Sequence, residues 1–134
     1  KNLLPDEIVR FDGYQTLAVS IADPYPLDGK SALKAIYETN GYSDSVSDKE
    51  ILKAQKELSE QEGIFGEPAS SVTIAALHKL RKLGVISQQE TVLCVISGNG
   101  LKDLSAAEQL LQDVPVVKND TKQVLETMTK YFKQ

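Results

Sequence analysis

Thr91-Val92-Leu93-Cys94-Val95-Ile96-Ser97-Gly98-Asn99-Gly100 is the stretch that sets the expected fold. Val92 to Ile96 is a continuous apolar run rich in β-branched residues, and such a run implies a strand covered on both faces, as in a parallel sheet. It ends in a hydroxyl, two glycines and an amide. In open α/β sheets ligands sit beyond the carboxyl ends of the strands, so Ser97 to Gly100 is where a site is expected. The same residues also suit a plain turn leaving a strand, since glycine tolerates positive φ and close backbone approach.

Working outward, the flanks read as helices. Ser47-Asp48-Lys49-Glu50 is a capping box, and Ile51, Leu52, Ala54 and Leu58 continue it as one apolar stripe that stops at Gly63. Pro68 suits the first turn of a next helix, whose Val72, Ala75, Ala76, Leu77, Leu80 and Leu83 form a broad apolar face closed by Gly84. An earlier helix starts after Asp28 and stops at Asn40-Gly41. A short one is expected over Ser105 to Leu111, and a last one over Thr121 to Phe132 with Val124, Leu125, Met128, Tyr131 and Phe132 as packing residues. Tyr42 to Val46 and Val114 to Val117 are weaker strand expectations, the second at an edge because of Pro115. The alternation predicts α/β architecture with a partial parallel sheet flanked by helices.

Composition narrows the chemistry. The chain has 134 residues, 41% of them hydrophobic and 25% charged, and a net charge of −4. An acidic chain without a basic stripe argues against nucleic acid and against anionic membrane. Cys94 and His78 are the lone members of their types, which excludes an internal disulfide and disfavours a thiolate metal site or a serine–histidine hydrolase. Cys94, between Leu93 and Val95, is expected as a small buried hydrophobe, and His78 as a partly exposed, inert helix residue. No apolar run approaches the roughly 20 residues that span a bilayer, so a cytoplasmic protein is expected. Lys1 in place of an initiator methionine leads to the expectation that residues 1–134 are one C-terminal segment of a longer catalytic chain.

The site stretch continues as Leu101-Lys102-Asp103, and Ser97-Gly98-Asn99-Gly100-Leu101-Lys102-Asp103 resembles the Thr-Gly-x-Gly-Leu-Lys-Asp of threonine synthases, with serine in place of threonine. Gly63-Ile64-Phe65-Gly66-Glu67-Pro68-Ala69-Ser70-Ser71 is similar to that family's Gly-Ile-Phe-x-Glu-Pro-Ala-Ser-Ala. Thr16 to Pro24 and the helix start at Ser47 are further echoes in the same order. The resemblance implies the C-terminal part of the large domain of a fold-type II pyridoxal-phosphate enzyme. It implies that the Ser97 hydroxyl, with Gly98 beside it, meets the pyridine nitrogen of pyridoxal 5'-phosphate. Glu67 either borders that site or is a helix-start carboxylate, where an acid is favourable by about 0.3–1 kcal/mol. Ser70 and Ser71 read as helix-surface or packing groups.

The implied activity is conversion of O-phospho-L-homoserine and water to L-threonine and phosphate. The family's Schiff-base lysine, in a Ser-x-Lys-Asp segment, has no counterpart here: Lys30 lies in Asp-Gly-Lys-Ser and Lys102 in Leu-Lys-Asp. The phosphate-gripping loop at a helix start is missing as well. The segment alone is therefore expected to be inactive, and its parent to be a homodimer. Another lyase of the same fold, such as a threonine or serine dehydratase or a cysteate synthase-like enzyme, and a non-catalytic α/β interaction domain are the alternatives.

Overall fold

A computed structural model describes residues 7–13, 15–111 and 115–131. Its α-helices are α1 (Gly29–Glu38), α2 (Asp48–Glu62), α3 (Pro68–Lys82), α4 (Leu104–Glu108) and α5 (Thr121–Tyr131), with 3-10 turns at Val19–Ile21 and Gly100–Lys102.

Helix α2 begins where local chemistry dictates. The Ser47 amide donates to Glu50 Oε2 at 2.7 Å and the Glu50 amide donates to Ser47 Oγ at 3.4 Å, satisfying two donors that a helix start leaves open. It ends at Gly63, whose φ of 67° is the left-handed conformation that glycine adopts without a Cβ penalty. Five residues later Pro68 opens α3 at a position where an amide proton is not needed.

This short return folds α3 back onto α2, and the two helices form the centre of the molecule. Ile51, Ala54 and Leu58 of α2 are buried, as is Ala75 of α3, and Ala18 and Ala106 close the same core from outside the pair. Small side chains let the two backbones approach. Gln55, 1% exposed, bridges the pair to the connecting loop by donating Nε2 to the Gly66 carbonyl at 2.8 Å.

The expected parallel sheet is absent among the described residues. Residues 91–96 form no strand, and neither do 42–46 or 115–117; Val114 lies outside the described residues. The β pairing found there is an isolated antiparallel bridge between Gly66 and Asn99. A strand exists by virtue of ladder bonds to a neighbour, and no neighbour for 91–96 is found among these residues. Its apolar side chains stand open accordingly, Leu93 being 89% and Val95 64% exposed. Cys94 is half-buried rather than enclosed.

Two helix expectations change as well. Leu125 and Met128 of α5 are about half exposed or more and Tyr131 is 38% exposed, and Phe132 lies outside the described residues. In α3 the buried residues are Pro68, Ser70, Ser71 and Ala75, so burial concentrates in the first turns instead of following the leucines. His78 is more than half exposed, 3.5 Å from Glu57, as its position on the helix suggests.

Candidate cofactor site

The residues that follow the apolar run are stapled to the start of α3. The Glu67 amide donates to the Gly98 carbonyl at 2.9 Å, and the Gly100 amide donates to the Phe65 carbonyl at 2.8 Å. Between these bonds the Gly98 amide donates to Ser70 Oγ at 2.8 Å. Ser97 is thereby held with its Oγ 3.3 Å from Ser70 Oγ.

Both glycines are required by contact. A β carbon on Gly98 would lie 1.9 Å from Glu67 Oε1, and one on Gly100 would lie 2.6 Å from the Phe65 ring. Each distance is well inside van der Waals contact, so the loop reaches α3 only because these side chains are missing.

Glu67 is the N-cap of α3 by position, but its side chain makes no capping bond. It is 4% exposed and turned aside. Its Oε2 accepts from Ser20 Oγ at 2.9 Å and pairs with Lys102 Nζ at 3.3 Å, while Lys102 Nζ also donates to Ser20 Oγ at 3.0 Å. The helix-start account of this acid is therefore replaced by a closed three-residue cluster. It ties the Val19–Ile21 turn, the α3 start and the Gly100–Lys102 turn into one unit.

A hollow of about 440 Å³ opens on the other side of the loop, lined by Ile64, Phe65, Ile96, Ser97, Gly98 and Asn99. Glu67 does not line it. Its lining mixes the apolar side chains of Ile64, Phe65 and Ile96 with the polar groups of Ser97 and Asn99. Such a wall suits a flat heteroaromatic ring with one acceptor nitrogen: the apolar side chains bury its face and the hydroxyl fixes its orientation. Its lining side chains include no cation.

The three residues expected at the site, Ser97, Gly98 and Glu67, are thus neighbours in space. Sequence reading missed Ser20, Lys102 and Ser70 as partners. Ser70 is 1% exposed and bonded to the loop, so it is not a surface group. A hydroxyl two residues after a helix-opening proline was the available signal, but serine is so common in first turns that it pointed nowhere. Among the described residues no group of acids, histidines and cysteines could hold a metal ion, and no helix is long and apolar enough to cross a membrane.

The family described as pyridoxal-phosphate dependent enzyme matches residues 3–98. The chain is 44% identical over 101 residues to threonine synthase of Methanocaldococcus jannaschii, covering 75% of this chain and 25% of that protein. It is 43% identical over 103 residues to threonine synthase of Methanosarcina acetivorans, covering 77% and 25%. Against threonine synthase of Halalkalibacterium halodurans the identity is 41% over 113 residues, covering 84% and 32%. The chain spans about a quarter to a third of the length of these curated relatives. On the matched residues, it belongs to the family of pyridoxal-phosphate-dependent enzymes.

Proposed function

We propose that this chain is the C-terminal part of a threonine synthase, which converts O-phospho-L-homoserine and water to L-threonine and phosphate. The observation that carries the reading is the Ser97 hydroxyl at the wall of the hollow, seated on the α3 start by the Gly98–Ser70 bond. The similarity to threonine synthases supports the substrate. In this reading residues 91–96 join a parallel sheet whose other strands belong to the rest of the protein. Exposure of Leu93 and Val95 supports that placement. The parent is proposed as a cytoplasmic homodimer on the resemblance, and the segment by itself as inactive.

When bound, pyridoxal phosphate supplies a conjugated electron sink for carbanionic chemistry at the substrate's α carbon. The chain's own contribution is to seat and tune that ring. Ser97 offers a neutral hydroxyl to the pyridine nitrogen, so no carboxylate holds a proton there and the ring withdraws electrons less strongly. Glu67, engaged by Lys102 and Ser20, is kept out of that position. Ile64, Phe65 and Ile96 would supply the apolar contacts of the ring.

The test is phosphate release from O-phospho-L-homoserine by the full-length protein that carries this chain, with and without added pyridoxal phosphate. Cofactor-dependent release with L-threonine as product is expected, and a large drop in Ser97→Ala. Release of ammonia from threonine or serine in its place would move the reading to a dehydratase.

A further inference from the structure

We propose that Ser70 is a positioning residue that fixes the direction of the Ser97 hydroxyl, so that Ser97 presents its proton, not a lone pair, to the ring held in the hollow. The inference rests on the proposed cofactor site. It concerns a residue that neither touches the hollow nor belongs to its lining.

The argument is one of counting. A serine hydroxyl has one proton to give and two positions at which to accept. Ser70 Oγ accepts the Gly98 amide proton at 2.8 Å, which uses one of those positions. Its own proton needs an acceptor, because Ser70 is 1% exposed and an unmade bond in such a place is costly. Among the described residues the side-chain partner within reach is Ser97 Oγ, at 3.3 Å.

If Ser97 gave its proton to Ser70, Ser70 would accept twice and its own proton would be left without an acceptor among the described residues. The reverse direction satisfies every group. Protons then run from the Gly98 amide to Ser70, from Ser70 to Ser97, and from Ser97 into the hollow. A neutral pyridine nitrogen, which can only accept, is matched by that order. A protonated ring nitrogen is not, since it would face another proton. Ser70 thus sets which form of the ring the site prefers, through an atom one hydroxyl removed from it.

The test uses the full-length protein loaded with pyridoxal phosphate carrying nitrogen-15 in the ring, and reads the ring-nitrogen chemical shift and the cofactor dissociation constant. Wild type is expected to show a neutral, hydrogen-bonded nitrogen. Ser97→Ala should move the shift toward that of an unbonded pyridine. Ser70→Ala should move it in the same direction and weaken cofactor binding about tenfold, the scale of one lost buried hydrogen bond. A shift that responds to Ser97→Ala but not to Ser70→Ala overturns this inference while the site stands. A wild type that binds no cofactor, or a shift indifferent to Ser97→Ala, overturns the site and the inference together. Should Ser70→Ala fold poorly, Ser70→Cys keeps the volume with a weaker donor. It should give an intermediate shift, and a folded Ser70→Cys with the wild-type shift counts against the proposal.

Discussion

Gly98 and Glu67 are packed so closely that glycine is the only residue the position accepts: a β carbon would sit 1.9 Å from the carboxylate oxygen and 2.9 Å from Glu67 Cγ. The carboxylate cannot simply swing away, because Lys102 and Ser20 hold its other oxygen. Gly98→Ala should therefore destabilise by about 1–3 kcal/mol, the usual cost of overpacking, and lower cofactor affinity by displacing Ser97. A double-mutant cycle gives the decisive measurement. In Glu67→Ala the obstacle is gone, so Gly98→Ala should cost much less there, and equal costs in both backgrounds would show that the contact is not the cause.

The Glu67–Lys102 pair should matter more than the exposed ion pairs among the described residues. Lys102 is 62% exposed but its partner is only 6% exposed, so removing the lysine leaves a buried carboxylate with Ser20 as its remaining donor. Lys102→Met should cost about 1–2 kcal/mol in urea unfolding, between the values for exposed and fully buried pairs. Lys56 and Glu60, by contrast, are both exposed on α2. Lys56→Met should change stability by less than about 0.5 kcal/mol.

Acid should loosen the start of α2. Bonds from the Ser47 hydroxyl and then the Ser47 amide hold Glu50 below its ordinary value of 4.5. Asp44 is likewise lowered from 3.8, first by its bond from Lys79 and then by the Ser45 amide. A lowered folded-state value favours the charged form, so both contributions are complete above the ordinary carboxylate range and disappear as pH falls through the lowered values. Helicity of wild type should then decline with acidification below about pH 4.5. Glu50→Gln should flatten that decline, and an unchanged acid profile would remove Glu50 from the account.

These expectations rest on features of unequal legibility. The start of α2, its stop at Gly63 and the proline opening of α3 could all be read from the sequence, because each is settled by bonds within a few residues. The strand expected at 91–96 could not be settled that way. Its pattern describes a segment that needs neighbours on both sides, and pattern alone does not supply them. At the site, Ser97 and Gly98 were visible through the glycines that follow and the motif they resemble. Ser20, Ser70 and Lys102 were not. Their partnerships span 27 to 82 residues of sequence, a separation over which no local spacing carries information.

Gln55 offers a test in which pH acts in the opposite sense. Its Nε2 donates to the Gly66 carbonyl at 2.8 Å, in the loop that leads to Glu67, and the side chain is 1% exposed. Its Oε1 is buried and has no hydrogen-bond partner among the described residues. Gln55→Glu keeps the shape and replaces the donor with a carboxylate that, when ionised, faces a carbonyl oxygen in a dry place. Neutral solution should therefore expose a penalty of about 3 kcal/mol or more. Protonation restores a donor toward Gly66. Burial raises the folded-state value of the new acid, so the penalty should shrink as pH falls through that raised value, while the wild type gains nothing over the same interval. Thermal melting of both proteins between pH 8 and pH 5 reads the difference directly. A deficit in Gln55→Glu that stays constant across that range would mean that lost packing, not buried charge, is responsible.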